Sequence, residues 1–448
     1  MLRDVPEVFG GSSATAPPLT RSRVAPAATT IVRAAAQAPI APKVAARGKR
    51  ILMIVESAAG GTGRHVLDLA EGMSARGHDV HVVYSTGRID RFFQARLATL
   101  DHVRQLPVAM RTSIHPTDFR VVRTIRRYVR EHGPFDIVHG HSSKAGALAR
   151  LVAMGTRANA VYTLHGLIMM DPKLALWKLT FYLAIELGLS LRTERIIAVA
   201  PEEARAAVKL GLGRKRVAVV PNGVEDDITV PRDEARRELG LAPDNVVVGF
   251  IGRLVEQKAP EVLLRAFARA VRSAPKLRLA IVGGGPLMSE MQALAAELRI
   301  GNHVLWLGER DARGVIAAFD VFAISSRKEG LPYVVLEAMS AGLPIVATTS
   351  AGVEILVDSG VNGFAIPPEQ PTPLGDALEK LATDAQRREA MGKASRDMVR
   401  RFSIEAMVEN TLHAYEPSPK DAQGDPRPIN AMHGLFGPEK DIPGDLLT

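Results

Sequence analysis

Cysteine is absent from the 448-residue sequence. Its absence excludes disulfide bonds and thiolate metal ligands, and with them the disulfide-stapled scaffolds typical of small secreted proteins. No stretch reaches the roughly 18 uncharged apolar residues that a membrane-spanning helix needs. The nearest candidate, residues 174–191, is interrupted by Lys178 and Glu186. We therefore predict a buried or interfacial helix at this position.

Aromatic residues are also scarce, at 5% of the chain, and no stripe of alternating basic and aromatic side chains is present. A stacking platform for nucleic acid is therefore disfavoured, although a basic nucleic-acid-binding protein stays open on charge alone. The formal net charge is +9 and the pI is near 9.8. Such a chain favours an anionic partner, which could be nucleic acid, an acidic lipid surface or a phosphorylated small molecule.

Both ends of the chain are biased in composition. Residues 1–49 are rich in Ala, Pro, Ser and Thr and contain only Asp4 and Glu7 as acids, and residues 417–448 are rich in Pro, Gly and Asp. We predict a disordered extension and a disordered tail, with an organellar transit peptide as the alternative for the first segment. The absence of cysteine fits a reducing cytoplasm.

Between these ends, short apolar runs alternate with amphipathic helical patterns. Apolar strands separated by helices indicate a parallel sheet covered on both faces. The pattern is interrupted by a polar turn at 221–227 and then restarts. We predict an α/β protein of two Rossmann-like, doubly wound domains, 50–223 and 224–402, facing across a cleft, followed by a returning helix at 403–416.

The first strand-to-helix loop, residues 59–65, contains Gly60 and Gly61. Backbone N–H groups at such a helix start can hold an anion, although a tight turn that only packs helix on strand explains the glycines equally well. A nicotinamide-binding fingerprint would need glycine where Val66 stands, and no acid follows the second strand. A nicotinamide enzyme is therefore disfavoured.

The first strand of the second domain ends in a loop with two cations, Arg253 and Lys258. Two cations at the carboxyl end of a strand can converge on a diphosphate and neutralise the charge that grows as a nucleotide departs. Solvated surface charge is the alternative, and it is common for Arg and Lys.

A pair of glutamates, Glu329 and Glu337, flanks the start of a predicted helix at 332–340. Glu329 can accept hydrogen bonds from sugar hydroxyls in the loop, and Glu337 can hold a ribose diol. A capping acid plus an exposed helical acid is the alternative. Glu337 stands in an apolar stretch, so we expect it to have a partner.

Several short motifs follow one another in a fixed order along residues 51–415. They are Gly60-Gly61-Thr62, Thr163-Leu164-His165-Gly166, Pro221-Asn222-Gly223-Val224, Gly252-Arg253-Leu254, Gly283-Gly284-Gly285-Pro286, the pair Glu329 and Glu337, and Asn362-Gly363-Phe364. In this order they resemble the retaining glycosyltransferases of the GT-B fold, specifically glycosyltransferase family 4. One loop departs from the family pattern: relatives usually have Gly-Gly-hydrophobic-Pro-Glu where this sequence has Ala-Gly-Val-Glu at 351–354.

The resemblance implies a role for each matching residue. Arg253 and Lys258 correspond to the diphosphate-binding pair, Glu329 to the donor-sugar contact and Glu337 to the ribose contact. His165 matches the histidine that approaches the reacting sugar, although a lone histidine at a strand end is often structural. The remaining expected donor-site contacts are Gly330, Leu331, Gly60, Gly61 and Gly284.

No Asp-x-Asp pair is present to suggest a divalent ion, so we expect fixed cations and helix starts to stabilise the leaving group without metal and without a cofactor. The expected reaction moves a hexose from a nucleotide sugar to a hydroxyl, with retention. By resemblance the acceptor is a saccharide or a lipid-linked saccharide of exopolysaccharide or cell-surface glycan synthesis. A GT-B-like sugar-nucleotide epimerase is the enzymatic alternative.

A helix predicted at 119–131 places cations along one side and apolar residues on the next. This face could rest on anionic lipid at the inner face of the plasma membrane, and a solvated charged face is the alternative. The cations are Arg120, Arg123, Arg127 and Arg130, and the apolar residues are Val122, Ile125 and Val129.

Overall fold

The computed structural model describes residues 48–416, apart from 171–173, 214–215, 226–229 and 351. The predicted disordered segments 1–49 and 417–448 therefore fall outside the described residues, except for Gly48 and Lys49.

A parallel sheet of seven strands forms the first domain. The strands are β1 (Arg50–Val55), β2 (Asp79–Ser85), β3 (Arg104–Val108), β4 (Ile137–His141), β5 (Asn159–Thr163), β6 (Arg195–Ala198) and β7 (Val217–Val219). Their order is β3-β2-β1-β4-β5-β6-β7. The helices are α1 (Gly60–Ser74), α2 (Arg91–Ala98), α3 (Asp118–His132), α4 (Ser143–Ala153), α5 (Leu176–Ser190) and α6 (Pro201–Lys209).

The second domain repeats this plan with six parallel strands. These are β8 (Val246–Ile251), β9 (Leu277–Val282), β10 (Val304–Gly308), β11 (Val321–Ile324), β12 (Ile345–Thr348) and β13 (Gly363–Ile366), in the order β10-β9-β8-β11-β12-β13. Its helices are α7 (Arg232–Glu238), α8 (Pro260–Ser273), α9 (Met288–Glu297), α10 (Ala312–Ile316), α11 (Tyr333–Ser340), α12 (Pro371–Thr383) and α13 (Ala385–Val399), and α14 (Ile404–Ala414) follows.

Each sheet is covered by apolar side chains on both faces. In β1, Ile51, Met53 and Val55 belong to one core cluster, whereas Leu52 and Ile54 belong to the cluster on the other face. This division follows from the two-residue repeat of a strand, and it explains why the strand is continuously apolar. The prediction of two Rossmann-like, doubly wound domains is confirmed.

Two edge strands were missed by the sequence analysis. β3 contains Pro107 and exposes most of its residues, which an edge strand tolerates because one side has no hydrogen-bonding partner. β13 begins at Gly363, where a Cβ atom would lie 1.9 Å from the carbonyl oxygen of Ile345 on β12. In the sequence, Gly363 is typical of a turn residue, whereas in the structure it allows β13 to pair closely with β12.

The chain crosses between the domains at two adjacent places. The Val224 N–H donates to the Phe402 carbonyl at 2.8 Å, and Val224 forms a parallel bridge with Ser403. α14 then packs against α1, where Gly72 leaves room for Val408: a Cβ atom at Gly72 would lie 2.6 Å from the valine side chain. The last described helix therefore joins the core of the first domain.

α5 corresponds to the predicted buried or interfacial helix at 174–191, and none of its apolar residues is fully buried. Glu186 and Ser190 are its buried residues, whereas Trp177 is 67% exposed and Phe181 is 50% exposed. α3 differs in detail: Val121 is buried together with Ile125 and Val129, while Val122 is only half-buried. Among the described residues, no helix is long and apolar enough to cross a membrane.

Candidate functional site

A cleft of about 1160 Å³ opens at the carboxyl edges of the strands. In both sheets the strand order reverses beside the first strand, between β1 and β4 and between β8 and β11. Loops diverge at such points and leave a crevice, which is where ligands of α/β sheets bind. The cleft walls include His165 and Gly166 from the first domain and Gln257 and Lys328 from the second.

The loop after β8 carries both predicted diphosphate-binding cations. Arg253 is exposed, and Lys258 ends a short 3-10 helix that leads into α8. The segment containing Gly284 packs beside this loop, and the Leu254 N–H donates to the Gly284 carbonyl at 2.8 Å. Close packing needs a glycine at 283, where a Cβ atom would lie 2.1 Å from the carbonyl oxygen of Gly252.

Glu329 lies in the loop between β11 and α11, next to Lys258. The Lys258 Nζ donates to the Glu329 Oε1 at 2.6 Å, and the Glu329 side chain is only 9% exposed. The structure thus brings together two of the four predicted charged residues.

Gly330 and Leu331 follow Glu329 at the contact between the domains. The Asn222 Nδ2 of the first domain donates to the Leu331 carbonyl at 2.7 Å. A Cβ atom at Gly352 would lie 1.4 Å from the Gly330 carbonyl oxygen. The loop that departs from the usual family pattern therefore rests directly on the Glu329 segment and needs glycine at 352.

Glu337 is one turn into α11 and forms an ion pair with Arg64 of α1, in the first domain. The expectation that Glu337 has a partner is therefore met across the domain boundary. Burial raises the pKa of Glu337, while the charge of Arg64 acts in the opposite direction. Arg64 also lies 5.0 Å from the centroid of the Tyr333 ring, which packs against Gly61. Glu337 and Glu329 thus belong to two different ion pairs.

Gly60 starts α1 with a positive φ of 58°, and its N–H donates to the Asp90 Oδ2 at 2.7 Å. Gly60 was predicted to contact the donor sugar nucleotide, but its N–H group already makes a hydrogen bond within the first domain. Gly61 lies closer to the partner domain, because a Cβ atom there would meet the Tyr333 ring at 3.2 Å.

Three histidines from three different elements converge, and one of them, His165, lines the cleft. His65 comes from α1, His141 ends β4 and His165 follows β5; their nearest ring nitrogens lie within 4.8 Å of one another. The His141 Nδ1 and the His165 Nε2 are 3.3 Å apart. Burial lowers the pKa of His65 to about 4, and burial together with neighbouring histidines lowers the pKa of His141 and His165 well below 6.5.

These imidazoles are therefore neutral near pH 7, and a neutral imidazole can bind a metal ion or exchange hydrogen bonds with a hydroxyl. Within the described part of the chain, His65, His141 and His165 are the group with donor atoms close enough to hold a metal ion. This cluster could not be predicted from the sequence, because its members are 76 and 24 residues apart.

Glu203, on α6, fixes the loop that presents His165. His165 and Gly166 both have positive φ angles, 50° and 93°. The Gly166 N–H donates to the Glu203 Oε1 at 2.6 Å, and the Val199 N–H donates to Oε2 at 3.2 Å. Burial raises the pKa of Glu203, although both backbone donors lower it. A Cβ atom at Gly330 would lie 3.4 Å from this same carboxylate, so Glu203 also meets the Glu329 segment.

Arg64, Glu203 and Asn222 were not identified as site residues from the sequence. Asn222 is buried and its Oδ1 lies 3.0 Å from the His65 Nδ1, in addition to its bond to Leu331. It stands in the quoted Pro-Asn-Gly-Val motif, which was the available signal. The other two are charged residues on amphipathic helices, and only the tertiary fold reveals their partners.

Comparison with known proteins agrees with this architecture. Residues 59–228 match the family described as "Glycosyltransferase Family 4", and residues 231–398 match "Glycosyl transferases group 1". The chain is similar in fold to Anabaena Alr3699/HepE, solved in complex with UDP and glucose, with a TM-score of 0.71 and 22% identity over 82% of this chain and 98% of that one.

Two sequence relatives point the same way. The chain is 32% identical over 306 residues to a D-inositol 3-phosphate glycosyltransferase of Kribbella flavida, covering 64% of this chain and 72% of the relative. It is 31% identical to the UDP-Gal:alpha-D-GlcNAc-diphosphoundecaprenol alpha-1,3-galactosyltransferase of Escherichia coli, covering 63% and 75%. The chain therefore belongs to the family 4 glycosyltransferases of the GT-B fold.

Proposed function

We propose that this glycosyltransferase moves a hexose from a nucleotide-diphosphate sugar to a hydroxyl of a lipid-linked saccharide acceptor in exopolysaccharide or cell-surface glycan synthesis. The observation that carries the proposal is the largely buried Lys258–Glu329 pair, whose chain neighbours Gln257 and Lys328 line the same cleft as the neutral His165. The E. coli relative acts on a diphosphoundecaprenol acceptor and the Anabaena structure holds UDP, which supports both substrate classes.

In this mechanism the second domain holds the donor. Arg253 and Lys258 neutralise the diphosphate as it departs, which is a role for cations fixed in place before the reaction. Glu329 accepts hydrogen bonds from hydroxyls of the donor sugar, and Glu337 accepts from the ribose diol. Backbone groups at Gly330, Leu331 and Gly284 contact the sugar and phosphates, and Gly60 and Gly61 face them from the first domain.

The reaction retains the configuration of the transferred sugar in this proposal. The acceptor hydroxyl attacks from the face that the nucleotide leaves, and the departing phosphate oxygen takes its proton. The Nε2 of the neutral His165 lies 3.3 Å from the His141 Nδ1, and its Nδ1 can exchange a hydrogen bond with a hydroxyl at the reacting centre. Glu329 positions the donor and is not a covalent nucleophile. Trapping of a glycosyl ester on Glu329 would contradict this assignment.

We also propose that the cations of the chain itself supply the positive charge, so that the enzyme needs neither metal nor cofactor. We expect the same rate before and after chelation of divalent ions. A rate that falls on chelation and recovers with zinc, and that loses this response in His141→Gln, would instead make the histidine cluster a working metal site.

The enzyme is expected to work in the cytoplasm, at the inner face of the plasma membrane. α3 supports this location because its buried residues face the sheet while its arginines remain exposed. Anionic phospholipid is the corresponding partner, with each cation contributing about 1 kcal/mol near the surface, and nucleic acid is not expected to bind. The exposed arginines are Arg120, Arg123, Arg127 and Arg130.

The test is to incubate the protein with UDP-, GDP- and ADP-sugars, with and without a membrane lipid extract. We expect transfer to lipid with one nucleotide class, and no transfer by Glu329→Ala. Val361→Ser, at an exposed position remote from the cleft, serves as the control. Conversion of the donor without any acceptor would favour an epimerase, and wild-type turnover by Glu329→Ala would mean that the site is misplaced.

A further inference from the structure

α5 presents an apolar face to solvent over its whole length. Leu176 is 74% exposed and Leu187 is 39% exposed, and Trp177 and Phe181 lie between them with half or more of their surfaces free; Leu191, just past the helix, is 77% exposed. Lys178 is the charged residue on this outer face. An outward stripe of large apolar side chains is unusual on a water-exposed helix and marks an interaction surface.

A buried ion pair fixes the inner side of α5 to α4. Arg150 of α4 is completely buried and donates to both oxygens of Glu186, at 2.7 and 3.1 Å. Its guanidinium also lies 4.6 Å from the centroid of the Tyr162 ring. A bidentate pair in this setting fixes the rotation of the helix. The outward position of Trp177 and Phe181 is therefore set by the fold.

Further exposed apolar side chains belong to the same region. Ile114 is 53% exposed, Phe119 is 75% exposed and Ile168 is 39% exposed. Ile114 and Ile168 line the cleft together with Tyr182, Ile185 and Leu189, on the inner side of α5. Among the described residues, the other exposed large apolar side chains are Phe92 and Val361, so exposure of this kind is concentrated at one mouth of the cleft.

The charges bordering this surface are mainly positive. Lys178 and Arg192 are exposed at the two ends of α5, and Arg111 and Arg120 are exposed beside Ile114 and Phe119. Glu186 binds Arg150 and Asp118 binds Lys144 at 2.8 Å, and the exposed Glu194 lies two residues past Arg192. An apolar face with a Trp residue and a cationic border is the pattern of a helix that lies in the headgroup region of an anionic bilayer.

We propose that the outer face of α5, with Ile114 and Phe119, is a membrane-docking surface that holds the mouth of the cleft at an anionic phospholipid bilayer. An apolar wall formed by Leu148, Leu151 and Leu189 then leads from the bilayer toward His165. A lipid-linked acceptor can reach the cleft from this side without leaving the membrane. This inference rests on the proposed function and assigns the acceptor's route of entry.

Intrinsic fluorescence tests the proposal, because Trp177 and Trp306 are the two tryptophans of the chain. In full-length Trp306→Phe, we expect vesicles of phosphatidylglycerol and phosphatidylcholine to shift the emission of Trp177 to the blue, and brominated phosphatidylcholine to quench it. Full-length Trp177→Phe, which reports on Trp306, should show neither response. Unchanged Trp177 emission in the presence of bound vesicles would overturn insertion of α5.

Cosedimentation with the same vesicles gives the matched comparison. Leu176→Ser/Phe181→Ser should weaken vesicle binding at least tenfold, whereas Val361→Ser should bind like the parent. Both variants should bind UDP with the affinity of the parent. Failure of the parent itself to bind UDP would count against the proposed function and would say nothing about the docking surface. Equal vesicle binding by all variants, or a change in oligomeric state without vesicle binding by the parent, would overturn the proposal.

Discussion

Replacement of Lys258 by Met removes the ammonium group that lies 2.6 Å from the Glu329 carboxylate. Both side chains are largely buried, at 19% and 9% exposure, so water screens the site only in part. Two unit charges about 4 Å apart interact by about 4 kcal/mol at an effective dielectric constant of about 20. Loss of one fixed group that stabilises transition-state charge costs about 2.7–4 kcal/mol, or about 10²–10³ in kcat. We expect Lys258→Met to lower kcat by this factor.

The assay is steady-state release of the nucleoside diphosphate, measured for Lys258→Met, Glu329→Gln and the double variant. The effects of substituting residues that act as a unit are strongly non-additive. We therefore expect the kcat of the double variant to lie within about threefold of the kcat of the slower single variant. Lys258→Arg keeps the charge and should recover part of the loss. A kcat for Lys258→Met within about threefold of wild type would refute the assignment of this cation to the departing diphosphate.

Three further predictions concern stability and the donor loop. Burial lowers the pKa of His65 to about 4, so between about pH 4 and pH 6.5 this histidine binds a proton in the unfolded chain but not in the folded one. We therefore expect His65 to make the free energy of unfolding in urea about 2 kcal/mol lower at pH 5 than at pH 7. An equal loss of stability in His65→Gln would contradict the assignment. Gly352→Ala should displace the Glu329 loop and weaken UDP binding, measured by calorimetry, whereas Gly314→Ala, with open space at its Cβ position, should not. Arg150→Met should lower the unfolding free energy by about 3–5 kcal/mol, and Arg150→Met/Glu186→Leu should recover most of it if the cost is an unpaired buried charge.

Features set by local sequence could be predicted. The apolar runs of β1 and β8, and the loop cations that follow β8, depend on periodicity and on position relative to a strand. The edge strands β3 and β13 could not, because Pro107 and Gly363 read as turn residues until the neighbouring strand is known. The other two edge strands, β7 and β10, are short apolar runs and could be predicted, so the composition of a strand decides whether it is visible in the sequence.

The partners of buried charged residues could not be predicted from the sequence either. An acid inside an apolar helix predicts that Glu337 has a partner, but Arg64 lies 273 residues away in sequence and in the other domain. Likewise, Glu203 resembles an ordinary residue in the first turn of α6 that accepts from the nearby Val199 N–H, and its second backbone donor, Gly166, lies 37 residues away after β5. Spacing in the sequence carries no information about such contacts.

The same contacts define what donor binding has to change. In the ligand-free chain, Glu329 is paired with Lys258 and Glu337 is paired with Arg64, so both carboxylates already have a cationic partner. A buried carboxylate without a partner would be destabilising, and the pairs avoid that cost in the ligand-free chain. In the proposed mechanism, a bound diphosphate would replace Glu329 as the partner of Lys258 and leave Glu329 to accept hydrogen bonds from the sugar hydroxyls. A ribose diol at Glu337 would compete with Arg64 of the opposite domain, so we expect its binding to be coupled to the contact between the two domains.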